Sequence, residues 1–168
     1  MTISQVLLPE FDHEMENTRK ILDCVPEDKF GWKPHQKSMT LGQLASHIAE
    51  IPSYAVATIN LPSLEITPGH KPFIAGSKSE LLAALDKNAA DARRAIAGAT
   101  DEHLAQNWSL IYGGQTIFDM PRAGVLRSMV MSHLVHHRGQ LGVYLRLNDV
   151  AIPGMYGPSA DTQAAAAA

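Results

Sequence analysis

Residues 133–140 read His133-Leu134-Val135-His136-His137-Arg138-Gly139-Gln140, inside a helical pattern that runs from about Pro121 to Asn148. His133 and His137 are four apart. On a helix this sets them about 40° apart around the axis and one turn apart along it, so both imidazoles can reach one point. The stripe of this segment counts Leu126, Val130, His133, His137, Leu141 and Tyr144. Two histidines therefore stand where a packed helix would carry Leu or Ile. Burying two imidazoles there costs desolvation unless something satisfies them, and a metal ion satisfies both.

A further histidine, His47, sits in Ser46-His47-Ile48-Ala49-Glu50, beside Ile51 and Tyr54 on the flank of another stripe. A third imidazole from a packed neighbour would close a facial three-histidine site, whose open coordination positions bind substrate or activate water. A lone histidine in a stripe is more often a hydrogen-bonded core residue, so the i, i+4 pair carries the signal. His136, about 60° to the other side of His133, reads as a rim residue or an outer hydrogen-bond donor. Glu50, one turn after His47, can orient that ring by accepting its second N–H; its other reading is a solvated surface carboxylate. Gln140, Tyr54 and Tyr144 are the pocket candidates. His-Glu-x-x-His is absent, so no general base is built in beside the pair, and no catalytic residue is assigned. His13, His35, His70 and His103 read as surface residues. Gly139 and Gly142 lower helix propensity, which close approach of a neighbouring helix would explain.

Three other helices precede this one. The first runs from about Ile3 to Val25, with Leu7, Phe11, Met15, Thr18, Leu22 and Val25 on one stripe. The second runs from about Thr40 to Asn60. Thr40 and Gln43 form a capping box, the core stripe is Leu41, Leu44, Ile48, Ile51, Ala55 and Ile59, and Pro52 should kink it or end its first half. Residues 61–78, rich in Pro, Gly, Ser and Lys, read as a long loop. The third helix opens on a second box, Ser77 with Glu80, buries Leu81, Leu85, Asn88, Ala92 and Ile96, and stops at Gly98. Residues 107–120 read as a short β-hairpin about Gly113-Gly114, with a loop extension as the alternative. Pro121 suits the first turn of the last helix. Four long helices without internal repeat predict an all-α four-helix bundle, one domain over residues 1–160, with a frayed tail at 161–168.

The chain has 168 residues, 45% of them hydrophobic, with 14 basic against 17 acidic side chains for a net charge of −3. That length supports one sizeable core. No basic run or stripe marks a nucleic-acid partner. The single cysteine, Cys24, can form no internal disulfide, fits a reducing compartment and reads as a partly buried small apolar residue. Pro9, Glu10, Asp12 and Glu14 fall where an export signal needs an apolar core. No run approaches the ~20 apolar residues of a membrane span. The expectation is a cytoplasmic protein with neither membrane nor nucleic-acid partner.

Three separated segments resemble one family. Gly31-Trp-Lys-Pro-His-Gln-Lys-Ser-Met-Thr-Leu-Gly-Gln-Leu-Ala-Ser-His47-Ile-Ala-Glu50 resembles the segment around the first metal histidine of the DinB superfamily. His133-Leu-Val-His-His137-Arg-Gly-Gln-Leu141 resembles its second signature, and Pro153-Gly-Met-Tyr-Gly-Pro-Ser159 its usual tail. The resemblance covers nearly the whole chain in the right order. It implies a four-helix bundle, often a homodimer, with a divalent metal held by three histidines, here His47, His133 and His137. Three imidazoles suit zinc, nickel or iron, with zinc or nickel the leading expectation. In that superfamily some members are transferases or isomerases that use a low-molecular-weight thiol such as bacillithiol, mycothiol or glutathione. The family's name refers to DNA-damage induction and implies no DNA binding.

The leading functional expectation is thus a metal-dependent, thiol-dependent S-transferase or isomerase acting on a small electrophile. A metal-dependent hydrolase and a non-enzymatic, dimeric metal- or ligand-binding module are the alternatives.

Overall fold

The structure is a computed structural model and describes residues 1–166. Helix α1 (Ile3–Asp23) starts at Thr2, whose hydroxyl accepts from Gln5 N–H while the Gln5 side chain accepts from Thr2 N–H. Its expected stripe, Leu7 to Val25, is buried. Helix α2 (Leu41–Glu50) opens on the same box, Thr40 with Gln43. Pro52 divides the helix expected there: the chain turns at Ile51–Pro52 and resumes as α3 (Ser53–Asn60). Both halves keep one buried face, Leu41 through Ile59.

Helix α4 (Lys78–Gly98) packs on α1, α2 and α3. Ser77 accepts from Glu80 N–H, but the Glu80 carboxylate turns to Gly76 N–H, so only half of the second capping box forms. Leu81, Leu85, Ala92 and Ile96 are buried, and Asn88 donates to Ala49 O at 2.9 Å, tying α4 to the end of α2.

The fold is mostly helical but not all-α. The hairpin is present: β2 (Asn107–Tyr112) and β3 (Gln115–Pro121) pair antiparallel. Gly113 and Gly114 turn at φ +54° and +80°, a region that glycine enters without steric cost. A third strand, β1 (Ser63–Ile66), lies in the segment expected to be loop and pairs parallel to β2. Parallel pairing needs a crossover connection, supplied here by α4 and the short α5 (Asp101–Ala105). The strand's four residues, lying between Pro62 and Pro68, are too few to show a period of their own.

Pro121 closes β3 instead of entering the last helix. A short α6 (Arg122–Val125) leads into a π-helical stretch over Leu126–Ser132, then α7 (His133–Leu147). A π turn is wider than an α turn, so the buried face emerges shifted by one residue. It is Leu134, Arg138, Leu141 and Leu145; His133, His137 and Tyr144 are half-buried on its flank. Gly139 has open space where a Cβ would go, so no helix approaches it, while at Gly142 a Cβ would lie 3.8 Å from Ile21 Cδ1. After α7, Ala160–Ala166 forms α8 in the tail expected to fray. Asp161 accepts from Ile152 N–H at 2.9 Å and pairs with Arg146. The tail's last two residues lie outside the described residues. Among the described residues no helix is long and apolar enough to cross a membrane.

Candidate metal centre

His47 comes from the last turn of α2, and His133 and His137 from the first two turns of α7, against which α2 packs. One nitrogen of each ring lies within 4.8 Å of the other two. His133 Nε2 is 2.8 Å from His137 Nε2 and 3.3 Å from His47 Nε2.

In the two α7 histidines the opposite ring nitrogen is already engaged. His133 Nδ1 faces Met129 O at 3.3 Å, and His137 Nδ1 faces Gln140 Oε1 at 2.7 Å. Both partners are acceptors, which assigns the proton to Nδ1 in each ring. The two Nε2 atoms are then lone pairs facing each other with no proton between them. A cation resolves that conflict, and an Nδ1–H held by a carbonyl is the usual support of a ligand imidazole.

The rings are held neutral. Burial, then the charges His137 and His133 would carry, push the His47 imidazole down to about 4. Burial first, then His137, lowers His133. His137 is lowered by burial against the opposing effect of its Gln140 bond. Neutral imidazoles are the form that ligates metal.

Three cavities adjoin the triad. One of about 370 Å³ is lined by His47, Glu50, Tyr54, Glu65, His70 and Pro72. A second, about 200 Å³, touches His133 and is walled by Tyr54, Leu64, Trp108, Phe118 and Met129 among others. The third, about 190 Å³, lies beside His47 against Met39, Gln43 and Phe73. Tyr54, Leu64 and Ile66 stand between the first two. Burial, and then Glu50, push the Tyr54 phenol up to about 12, so it stays protonated. Ser46 Oγ accepts from Ala75 N–H at 2.9 Å and fastens the 61–78 segment across α2 beside His47.

The remaining candidates divide. Gln140 holds the His137 ring. Glu50 lines the cavity but makes no hydrogen bond to His47 among the described residues. His136 is exposed, its ring centroid 4.9 Å from that of His137. Tyr144 lines none of these cavities; its ring is edge-on to Trp32 at 5.6 Å and its hydroxyl 3.4 Å from Met39 O. Of the histidines expected on the surface, His70 is exposed and lines the larger cavity, whereas His103 is half-buried and meets Ile59 O at 2.7 Å. Sequence reasoning did not bring together Arg138, Glu14 and Tyr156: the first two pair in the interior, and the exposed Tyr156 lays its hydroxyl on them. Glu14 falls on the Leu7–Phe11–Thr18 helical count, so a charged residue in a core stripe was the available signal.

A family model described as the DinB superfamily matches residues 10–141. The Bacillus subtilis (strain 168) protein YrdA, itself described as uncharacterized, is 27% identical over 157 residues, 90% of this chain and 87% of that protein. A solved DinB-like protein from Bacillus cereus ATCC 10987 superposes with a TM-score of 0.68 at 24% identity, covering 89% of this chain and 95% of that one. The DinB-like YjoA of Bacillus subtilis gives 0.67 at 16% identity, covering 90% and 98%. At these identities the likeness to the solved structures is one of fold.

Proposed function

The chain belongs to the DinB superfamily, and on that premise we propose that it binds one divalent metal ion, zinc or nickel, through His47, His133 and His137. We propose that it acts as a metal-dependent enzyme on a small electrophile, with a low-molecular-weight thiol as cosubstrate. The observation that carries the reading is the convergence of three Nε2 atoms, two of them with the opposite nitrogen fixed as an N–H donor. A divalent ion there would act as a Lewis acid, lowering the pKa of a thiol or water bound at an open position.

The chain's own groups supply the rest. Gln140 and the Met129 carbonyl hold two rings in the ligating tautomer. Tyr54, protonated and between two cavities, is placed to donate a hydrogen bond to a substrate oxygen. Apolar walls beside His133 keep water from the reacting atoms. The same reading takes the long helical segments as a four-helix bundle and the protein as a cytoplasmic homodimer. Sedimentation at the 18.2 kDa monomer mass at all concentrations would count against the dimer.

One observation favours the hydrolase reading. Glu50 lines the cavity beside His47 and is a candidate base for a water. Metal analysis of untagged, chelator-free protein comes first, with His137→Ala beside it. About one ion per chain, lost in the variant, supports the site; no uptake of zinc, nickel, manganese or iron sinks it. Turnover that needs a thiol then separates the transferase from the hydrolase, and tight metal binding without turnover leaves the binding module.

A further inference from the structure

The cavity against His133 has a chemistry of its own. Leu64, Leu110 and Phe118 reach it from the three strands, and Val125 and Met129 from the last helical segment. No Asp, Glu, Lys or Arg lines it. An apolar cavity of about 150 Å³ holds a benzene ring, so about 200 Å³ accommodates a ring with a small substituent.

Just behind this apolar wall two polar atoms have no partner among the described residues. Thr58 is fully buried and Trp108 3% exposed; both residues line the cavity, and Thr58 Oγ1 and Trp108 Nε1, which have almost no accessible surface, make no hydrogen bond among the described residues. Native structures seldom leave such groups unsatisfied. An indole N–H only donates, and a hydroxyl can donate as well. A single group that completed both would therefore be an acceptor.

We infer that this cavity binds a compact, neutral, mostly apolar molecule of about ring size that carries one hydrogen-bond acceptor such as a carbonyl oxygen, and that this molecule is the electrophilic substrate, its reacting end toward His133. The binding stands on the cavity alone; its assignment as substrate rests on the metal reading above. The larger cavity on the His47 side, with Glu50, Glu65 and His70, is the polar one. Tyr54, Leu64 and Ile66 partition the two, so a polar cosubstrate has a separate approach to the same three histidines.

The test uses acetophenone as probe, with ethylbenzene (no acceptor) and benzoate (charged) as controls, on metal-loaded protein whose metal content is measured on the same sample. The readout is the indole N–H resonance of Trp108, assigned with Trp108→Phe and compared with that of Trp32. Acetophenone is expected to shift Trp108 and not Trp32, and both controls to bind about tenfold more weakly. Thr58→Val keeps the shape, removes the hydroxyl and should weaken acetophenone binding by a similar factor with an unchanged melting transition. Leu110→Trp, which fills the cavity, should abolish binding.

No shift of Trp108 up to the solubility of acetophenone, or benzoate binding as tightly, overturns the pocket and leaves the metal centre standing. Unaltered binding in a folded Thr58→Val overturns the acceptor requirement. Binding by protein that takes up no metal supports the pocket and overturns its assignment as a substrate site.

Discussion

Arg138 and Glu14 meet in the interior, 3% and 6% exposed, one from α7 and the other from α1. The guanidinium also donates to Glu14 O at 3.0 Å, to Thr18 Oγ1 at 3.1 Å and to the Tyr156 hydroxyl at 2.5 Å. Arg138 directly follows His137. Its anchorage fixes the rotation of α7 about its axis and so aims His133 and His137 at His47.

Glu14→Ala leaves that guanidinium buried without a counter-charge. Breaking such a pair from one side costs about 3–5 kcal/mol. The expected result is a loss of that size in urea unfolding, with Glu14→Gln intermediate. A loss under about 1 kcal/mol would mean that α7 is held by its apolar face alone.

Metal removal should lower the melting temperature. An ion that binds only the folded chain stabilises it by about 2.7 kcal/mol at a hundredfold excess over Kd. Differential scanning calorimetry before and after chelation is expected to show the shift, restored by zinc or nickel and missing in His137→Ala. An equal shift in His137→Ala would place the ion elsewhere.

Acid should destabilise the metal-free protein. The His47 imidazole lies near 4 in the folded chain against an ordinary 6.5, with burial the leading cause. Between those values the unfolded chain binds more protons, so stability is complete above about pH 6.5 and is lost as pH falls toward 4. His133 and His137 are lowered too and act in the same direction. Thermal melts stepped through that window test it, and His47→Gln should flatten the slope.

Gly139→Ala should stabilise. The position is exposed, within α7, and nothing lies within 4 Å of an added Cβ. Alanine there gains about 0.5–1 kcal/mol over glycine, measurable in urea unfolding, with metal content unchanged. A destabilised variant would show that another surface covers this face.

Much of this was legible from local pattern. Capping boxes at Thr40 and in part at Ser77, apolar stripes on α1 and α4, and the Gly113-Gly114 turn all act within a few residues, where a sequence displays them. The His133–His137 pair is local too. The π-helical stretch is not visible in that way. An unbroken α count from Leu126 and Val130 lands on His133, His137 and Tyr144, whereas the wide turn brings Leu134, Arg138 and Leu145 inward. Strand β1 needs a partner from the far side of α4, and Glu14 is buried only because Arg138 arrives from the other end of the chain. Tertiary partners of this kind leave no local signal.

The Tyr156 hydroxyl reaches the Glu14 carboxylate at 2.8 Å across 142 positions of chain. Tyr156 itself is 65% exposed, in a stretch without helix or strand, the kind of segment that opens locally at low cost. The segment around Tyr156 is therefore among the first to lift away from the molecule. A protease that cuts just ahead of it would meet a domain whose interior is already assembled, with Arg138 and Glu14 still paired beneath the cut.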